Sequence, residues 1–242
     1  MVGPERRSIV MSQKEKEIAA YHESGHAIVG SLTEKGDPIH KVTIIPRGVA
    51  LGLTWSLPED DRHSRTKEEL LGTVMFSLGG RLAEEIKFKD VTTGASNDFE
   101  KATELARRMV TQYGMSDTLG PIQYGRGSHQ VFLGRDFGEE RNYSEEIASK
   151  IDAEVRRIIE SCYDRGRTLL LENWDKVERM VGSLLEYETV EAEEVKAILE
   201  GRPYDRGVPE PEAQAAPPVA ADAPKRAEKP KRLPPKISPE PA

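Results

Sequence analysis

Tyr21-His22-Glu23-Ser24-Gly25-His26-Ala27 lies in a run whose apolar positions, Ile18, Tyr21, Gly25, Ile28 with Val29, and Leu32, recur at helical spacing. Ser12 followed by Glu15 has the spacing of a capping box and predicts where the helix starts. Gly36-Asp37-Pro38 ends the element. Within it, His22 and His26 are four apart, on one face, one turn above each other. That spacing lets both imidazoles reach one zinc ion and sets Glu23 beside the open position, where it can take a proton from water. Both histidines fall on or beside the apolar stripe, where ring nitrogens need partners. A satisfied core histidine or an exposed helix that happens to carry two histidines is the bland alternative. It explains one buried His better than two.

Working outward, residues 40–45 alternate β-formers and predict a strand, and residues 49–57 predict a second. Gly52 inside the second marks a close approach, either by a peptide adding itself to the sheet edge or by a bulge. Thr66 with Glu69 is another capping box, opening a helix to Phe88. Gly79-Gly80 would weaken that helix and so implies tight packing against another. Ser96 or Asn97 is expected to cap a helix reaching Gly114, with Asp98 in its first turn. Residues 115–137 are glycine-rich and irregular, with a short strand expected near 130–133. Ser144 starts a long helix with the seam Ile147, Ile151, Val155, Ile158, Ile159 and Cys162. Further helices follow Asn173 and, over residues 192–199, Thr189. The fold class read from this is mainly α with a small β-sheet or hairpin, and a C-terminal helical hairpin or bundle over about residues 142–200.

Of 242 residues, 37% are hydrophobic, and ten of the 16 prolines lie between Pro209 and Pro241. Residues 205–242 read as a disordered Pro/Ala/Lys-rich tail, residues 12–204 as the folded domain, and residues 1–11 as a linker from an upstream module. The net charge of −7 argues against a nucleic-acid surface. The tail's Lys225-Arg226, Lys229 and Lys231-Arg232 read as solvated. The single cysteine, Cys162, excludes an intrachain disulfide and suits core packing. No apolar run approaches the roughly 20 residues of a membrane span, and no signal-peptide pattern opens the chain, so a soluble chain in a reducing compartment is expected.

A catalytic zinc needs three protein ligands. No third ligand follows His26 locally, and Glu84, Glu85, Asp98, His40, His63 and His129 all remain open on sequence physics. Beyond the Tyr21–Ala27 motif, the chain carries Ile44-Ile45-Pro46-Arg47-Gly48, Ala50-Leu51-Gly52, Gly79-Gly80-Arg81-Leu82-Ala83-Glu84-Glu85, Thr93-Gly94-Ala95-Ser96-Asn97-Asp98 and Met109-Val110-Thr111-Gln112-Tyr113-Gly114-Met115-Ser116. In order and spacing these resemble the protease domain of the FtsH family of membrane-anchored, ATP-dependent zinc metalloproteases. The resemblance implies a zinc-metallopeptidase fold, one Zn2+ held by His22, His26 and Asp98, and Glu23 as catalytic base. It implies that Gly48, Val49, Ala50, Leu51 and Gly52 form an edge strand that binds substrate, although Val49 and Trp55 depart from the family's pattern there. It further implies unfolded or membrane protein substrates, a homohexameric ring, and ATPase and membrane segments upstream. The full-length protein would then be membrane-anchored, with this domain in the cytoplasm or an equivalent reducing compartment. No Gly-x-x-x-x-Gly-Lys-Ser/Thr phosphate loop occurs here, so ATP would be used only by the upstream module. Two other readings are a helical assembly module with a structural or vestigial metal site, and a hydrolase of small molecules.

Overall fold

The computed structural model describes residues 11–34, 36–46, 52–56, 64–125 and 142–206. Helix α1 (Gln13–Leu32) begins at the expected capping box, Ser12 and Glu15 each bonding the other's backbone. Strands β1 (Ile39–Thr43) and β2 (Leu53–Ser56) pair antiparallel. Helix α2 (Lys67–Phe88) starts at the Thr66–Glu69 capping box. A single 3-10 turn, Thr93–Ala95, runs straight into α3 (Ser96–Thr111). The long α4 (Glu145–Glu172), α5 (Trp174–Tyr187) and α6 (Ala192–Leu199) complete the helices.

Two expectations are corrected here. Neither Ser96 nor Asn97 caps α3: the N-cap position is Ala95, with no side-chain cap bond. The reason is the preceding turn, which already carries Ser96 into helical backbone at φ −59° and ψ −42°, where an N-cap cannot sit, while Thr92 caps Gly94 instead. The segment before α6 is also more than a helix start. Thr189–Glu191 form β3, which pairs antiparallel with β1 and gives a three-stranded sheet in the order β2-β1-β3. Three residues are too few to show a period of two, so only the pairing with β1 reveals the strand. The strand expected near 130–133 lies outside the described residues.

The first compact unit runs to Tyr204; of the second, Asp205–Ala242, only Asp205 and Arg206 are described. The core of the first unit centres on α1 and α2. A Cβ added to Gly25 would lie 2.2 Å from the Gly79 carbonyl oxygen, and one added to Gly79 would lie 2.6 Å from that of Gly25. The helices therefore touch backbone to backbone, which offsets the propensity cost of glycine in mid-helix. Leu78, Leu82, Ile28 and Val29 fill the adjoining core, fully buried. From the other side α4 contributes Ile151, Ile158 and Cys162. The Cys162 thiol donates to the Leu71 carbonyl, and burial pushes its pKa up to about 11, which leaves it a packing residue.

Candidate metal centre

The backbone contact of α1 with α2 sets the position of the histidine face. Gly80 sits under His22, where an added Cβ would come within 2.6 Å of the imidazole. Of the expected Gly79-Gly80 pair, one residue thus lets the helices meet and the other makes room for a ring. His22 Nε2 lies 3.0 Å from His26 Nε2. Asp98, in the first turn of α3, brings Oδ2 to 3.3 Å from His22 Nε2 and 3.5 Å from His26 Nε2. Among the described residues, these three form the one cluster of metal-ligating groups.

The other ring nitrogens fix what these atoms are. His26 Nδ1 lies 2.7 Å from the Phe76 carbonyl oxygen, which only accepts, so the ring proton is on Nδ1. His22 Nδ1 lies 2.6 Å from Glu84 Oε1, and the carboxylate likewise selects Nδ1–H. Each neutral ring then presents a lone pair at Nε2. Two lone pairs and a carboxylate oxygen face one another with no donor between them, which calls for a cation. A tetrahedral zinc site with its usual bond lengths has ligand–ligand edges of about 3.3 Å. The sides of 3.0, 3.3 and 3.5 Å fit it. A proton competes for the same space. Burial disfavours charge on His22, but hydrogen bonds it donates to Asp98 and Glu84 and the nearby charge of Glu23 outweigh it and push the imidazole up to about 10. Burial likewise opposes the charge on Asp98, yet the two imidazoles hold its carboxyl well below the usual range.

The acidic pair on α2 divides. Mid-helix acids are expected to face solvent, but Glu84 is 1% exposed. Its Oε1 takes the His22 Nδ1–H and its Oε2 takes the Thr92 N–H at 3.1 Å. It therefore orients a ring from behind and lies outside the three-atom cluster. Glu85 turns away, to the Tyr163 hydroxyl and Arg167. His40 is on β1, edge-on to the ring of Trp55, and is not part of the cluster. His63 and His129 lie outside the described residues.

Glu23 is 7% exposed and packs under β2. Thr54 Oγ1 donates to Glu23 Oε2 at 2.6 Å. A Cβ on Gly52 would meet Glu23 Oε1 at 2.6 Å, so the close approach read from this glycine is made by Glu23 itself. This Thr54 contact was missed in the sequence, where nothing local links residues 31 apart. Gly48, Val49, Ala50 and Leu51 lie outside the described residues. Trp55 alternates with Thr54 along β2 and is exposed, on the face away from Glu23.

Residues 9–198 match the sequence profile of peptidase family M41. The chain belongs to this family. Among its relatives is an ATP-dependent zinc metalloprotease FtsH of Myxococcus xanthus, 48% identical over 225 residues, which are 93% of this chain and 35% of that protein. Proteins of the same name from Rubrobacter xylanophilus and Bacillus subtilis are 52% and 51% identical over 83% of this chain and about a third of their own length. The chain thus spans about a third of the length of the curated relatives it matches. Membership makes the α-rich fold with its small antiparallel sheet that of an M41 peptidase, and the chain an enzyme of that class. Among the described residues, no helix is long and apolar enough to cross a membrane.

Proposed function

We propose that this chain is a zinc-dependent endopeptidase whose metal is held by His22, His26 and Asp98 and whose proton-transfer group is Glu23. The observation that supports this most is the convergence of three acceptor atoms with no donor between them. A zinc ion bound there supplies Lewis acidity, acidifying a water and polarising the scissile carbonyl. Glu23 takes the proton of the attacking water and delivers it to the leaving amine. Its burial excludes bulk water from that exchange. Glu84 holds His22 in the tautomer that leaves Nε2 free.

Substrate lies extended along residues 48–52 and the outer edge of β2, bound through its main chain. Such binding reads little side-chain sequence and suits unfolded polypeptides. The relatives' printed names join zinc proteolysis to ATP. We take residues 12–204 as the protease portion of a longer, membrane-anchored homohexamer that faces the cytoplasm or an equivalent reducing compartment. Its ATPase and membrane segments lie upstream, and its substrates are unfolded or membrane proteins, with no role for nucleic acid. An assembly module with a vestigial or structural metal site is not favoured. Structural zinc is normally closed by four ligands, often thiolates, and the one cysteine is buried against Leu71.

Glu23→Gln should lower casein cleavage by at least about a hundredfold while zinc stays at one ion per chain. Cleavage at a near-normal rate would remove Glu23 as the base. The chain should also cut casein without ATP and spare a stably folded reporter even with ATP. A folded domain is held by roughly 5–15 kcal/mol, and opening it needs coupled work. ATP-stimulated loss of the reporter would contradict the assignment of ATP use to an upstream module.

A further inference from the structure

We propose that Thr54 is a positioning residue for Glu23, its hydroxyl fixing one oxygen of the carboxylate so that the other meets the reacting water. The proposal rests on Glu23 being the base. A hydroxyl has one proton, and two acceptors lie in its reach: Glu23 Oε2 at 2.6 Å and the Glu23 carbonyl oxygen at 3.1 Å. The shorter contact has the length of a charge-assisted bond, and the carbonyl lies inside α1, where the helix ladder already claims it. The proton therefore goes to the carboxylate.

The strand that carries this hydroxyl is itself anchored. Thr54 pairs with Val42 of β1, whose side chain is fully buried. Two residues earlier, Gly52 passes so close to Oε1 that no side chain fits between. β2 and the residue just before it thus bound both oxygens of a side chain that otherwise turns about three bonds. Among the described residues β2 is also one of the two edge strands of the sheet, the one on which the extended substrate is proposed to lie. Base and substrate would be registered against the same backbone.

A general base must sit within hydrogen-bond reach of the proton it removes, and a misplacement of about 1 Å can cost on the order of a hundredfold. Thr54→Val keeps the shape and removes the donor. On a fluorogenic peptide, kcat should fall on the order of tenfold to a hundredfold while KM stays within about twofold, zinc content stays unchanged and the melting temperature holds. Thr54→Ser, which keeps the hydroxyl, should restore kcat to within about threefold of the parent. Affinity for a peptide hydroxamate, whose N–OH proton a carboxylate accepts, should weaken in Val and recover in Ser when read by calorimetry. Adding Thr54→Val to Glu23→Gln should leave the residual rate unchanged, because the two act as one unit.

Parental kcat in Thr54→Val, a loss confined to KM, or equal losses in Val and Ser would each overturn the proposal. If Val lowers the melting temperature, Thr54→Ala replaces it and the same kcat against KM split decides. Full activity of Glu23→Gln would instead overturn the assignment of the base. An inactive Glu23→Gln beside a normal Thr54→Val would overturn the role of Thr54 alone.

Discussion

The cluster around Glu154 and the cluster around Asp98 each hold a carboxylate away from open solvent, buried at Glu154 and half-buried at Asp98, and they balance it in opposite ways. Glu154 is 5% exposed and every contact it makes is to a donor. Ser116 and Thr118 hydroxyls donate at 2.8 and 3.0 Å, and the Arg157 guanidinium at 2.9 and 3.0 Å. Ser116 in turn accepts the Leu119 N–H at 3.0 Å, so the cluster pins the turn after α3 onto α4. The Arg157 hydrogen bond leads in holding the Glu154 carboxyl down to about 2, against the opposing effect of burial. At Asp98 the exposed Lys101 ammonium reaches only Oδ1, at 3.5 Å, and the neighbours of Oδ2 are two imidazole nitrogens whose Nδ1 protons are engaged elsewhere. The first cluster is complete with protein atoms alone, and the second has room for a proton or a metal ion among its acceptor atoms. A buried carboxylate by itself therefore says little; the accounting of donors around it separates anchor from site.

The comparison breaks most readily at Asp98. Asp98→Ala should weaken zinc binding by well over a hundredfold in competition with a chelator, whereas Glu154→Gln should leave it untouched. Equal affinities for Asp98→Ala and the parent would mean the cation lies elsewhere. Glu84→Gln tests the support behind His22. Partners of this kind are worth about 10- to 100-fold in metal affinity, and Glu85→Gln should change it by less than about twofold. A larger effect at Glu85 would invert the division of that pair.

At Glu154 the expected loss is in stability. Glu154→Gln removes the charge that organises three donors and should cost about 1–3 kcal/mol in denaturant unfolding, with zinc affinity unchanged. A smaller effect should appear with acid. A carboxyl lowered from 4.5 to about 2 contributes stability that is present above pH 4.5 and is lost as pH falls from there toward 2. The parent should lose stability across that window more steeply than Glu154→Gln. Parallel curves would mean that Glu154 is as well paired in the unfolded chain.

Local chemistry made much of the fold legible. The two capping boxes start α1 and α2 where Ser12 and Thr66 predict, because the bonds involved span three residues. The histidine pair and the face it occupies follow from the helical period, and Gly79-Gly80 announced a close helix contact without naming its partner. Even so, α3 starts without the expected cap, since a 3-10 turn had already brought Ser96 into helical backbone.

The sequence by itself determined two imidazoles and a glutamate on one helix, and an apolar stripe to bury them. Family resemblance, and no period in the chain, singled out Asp98 from six candidate ligands. Tertiary structure decided the rest. It sent Glu84 inward and Glu85 outward from adjacent positions on α2. It recruited β3 as the third strand and laid Thr54 across Glu23. Hydrogen bonds within a turn of helix are written into spacing, but a bond between residues 31 or 62 apart exists only once helices and sheet have packed and set the distance.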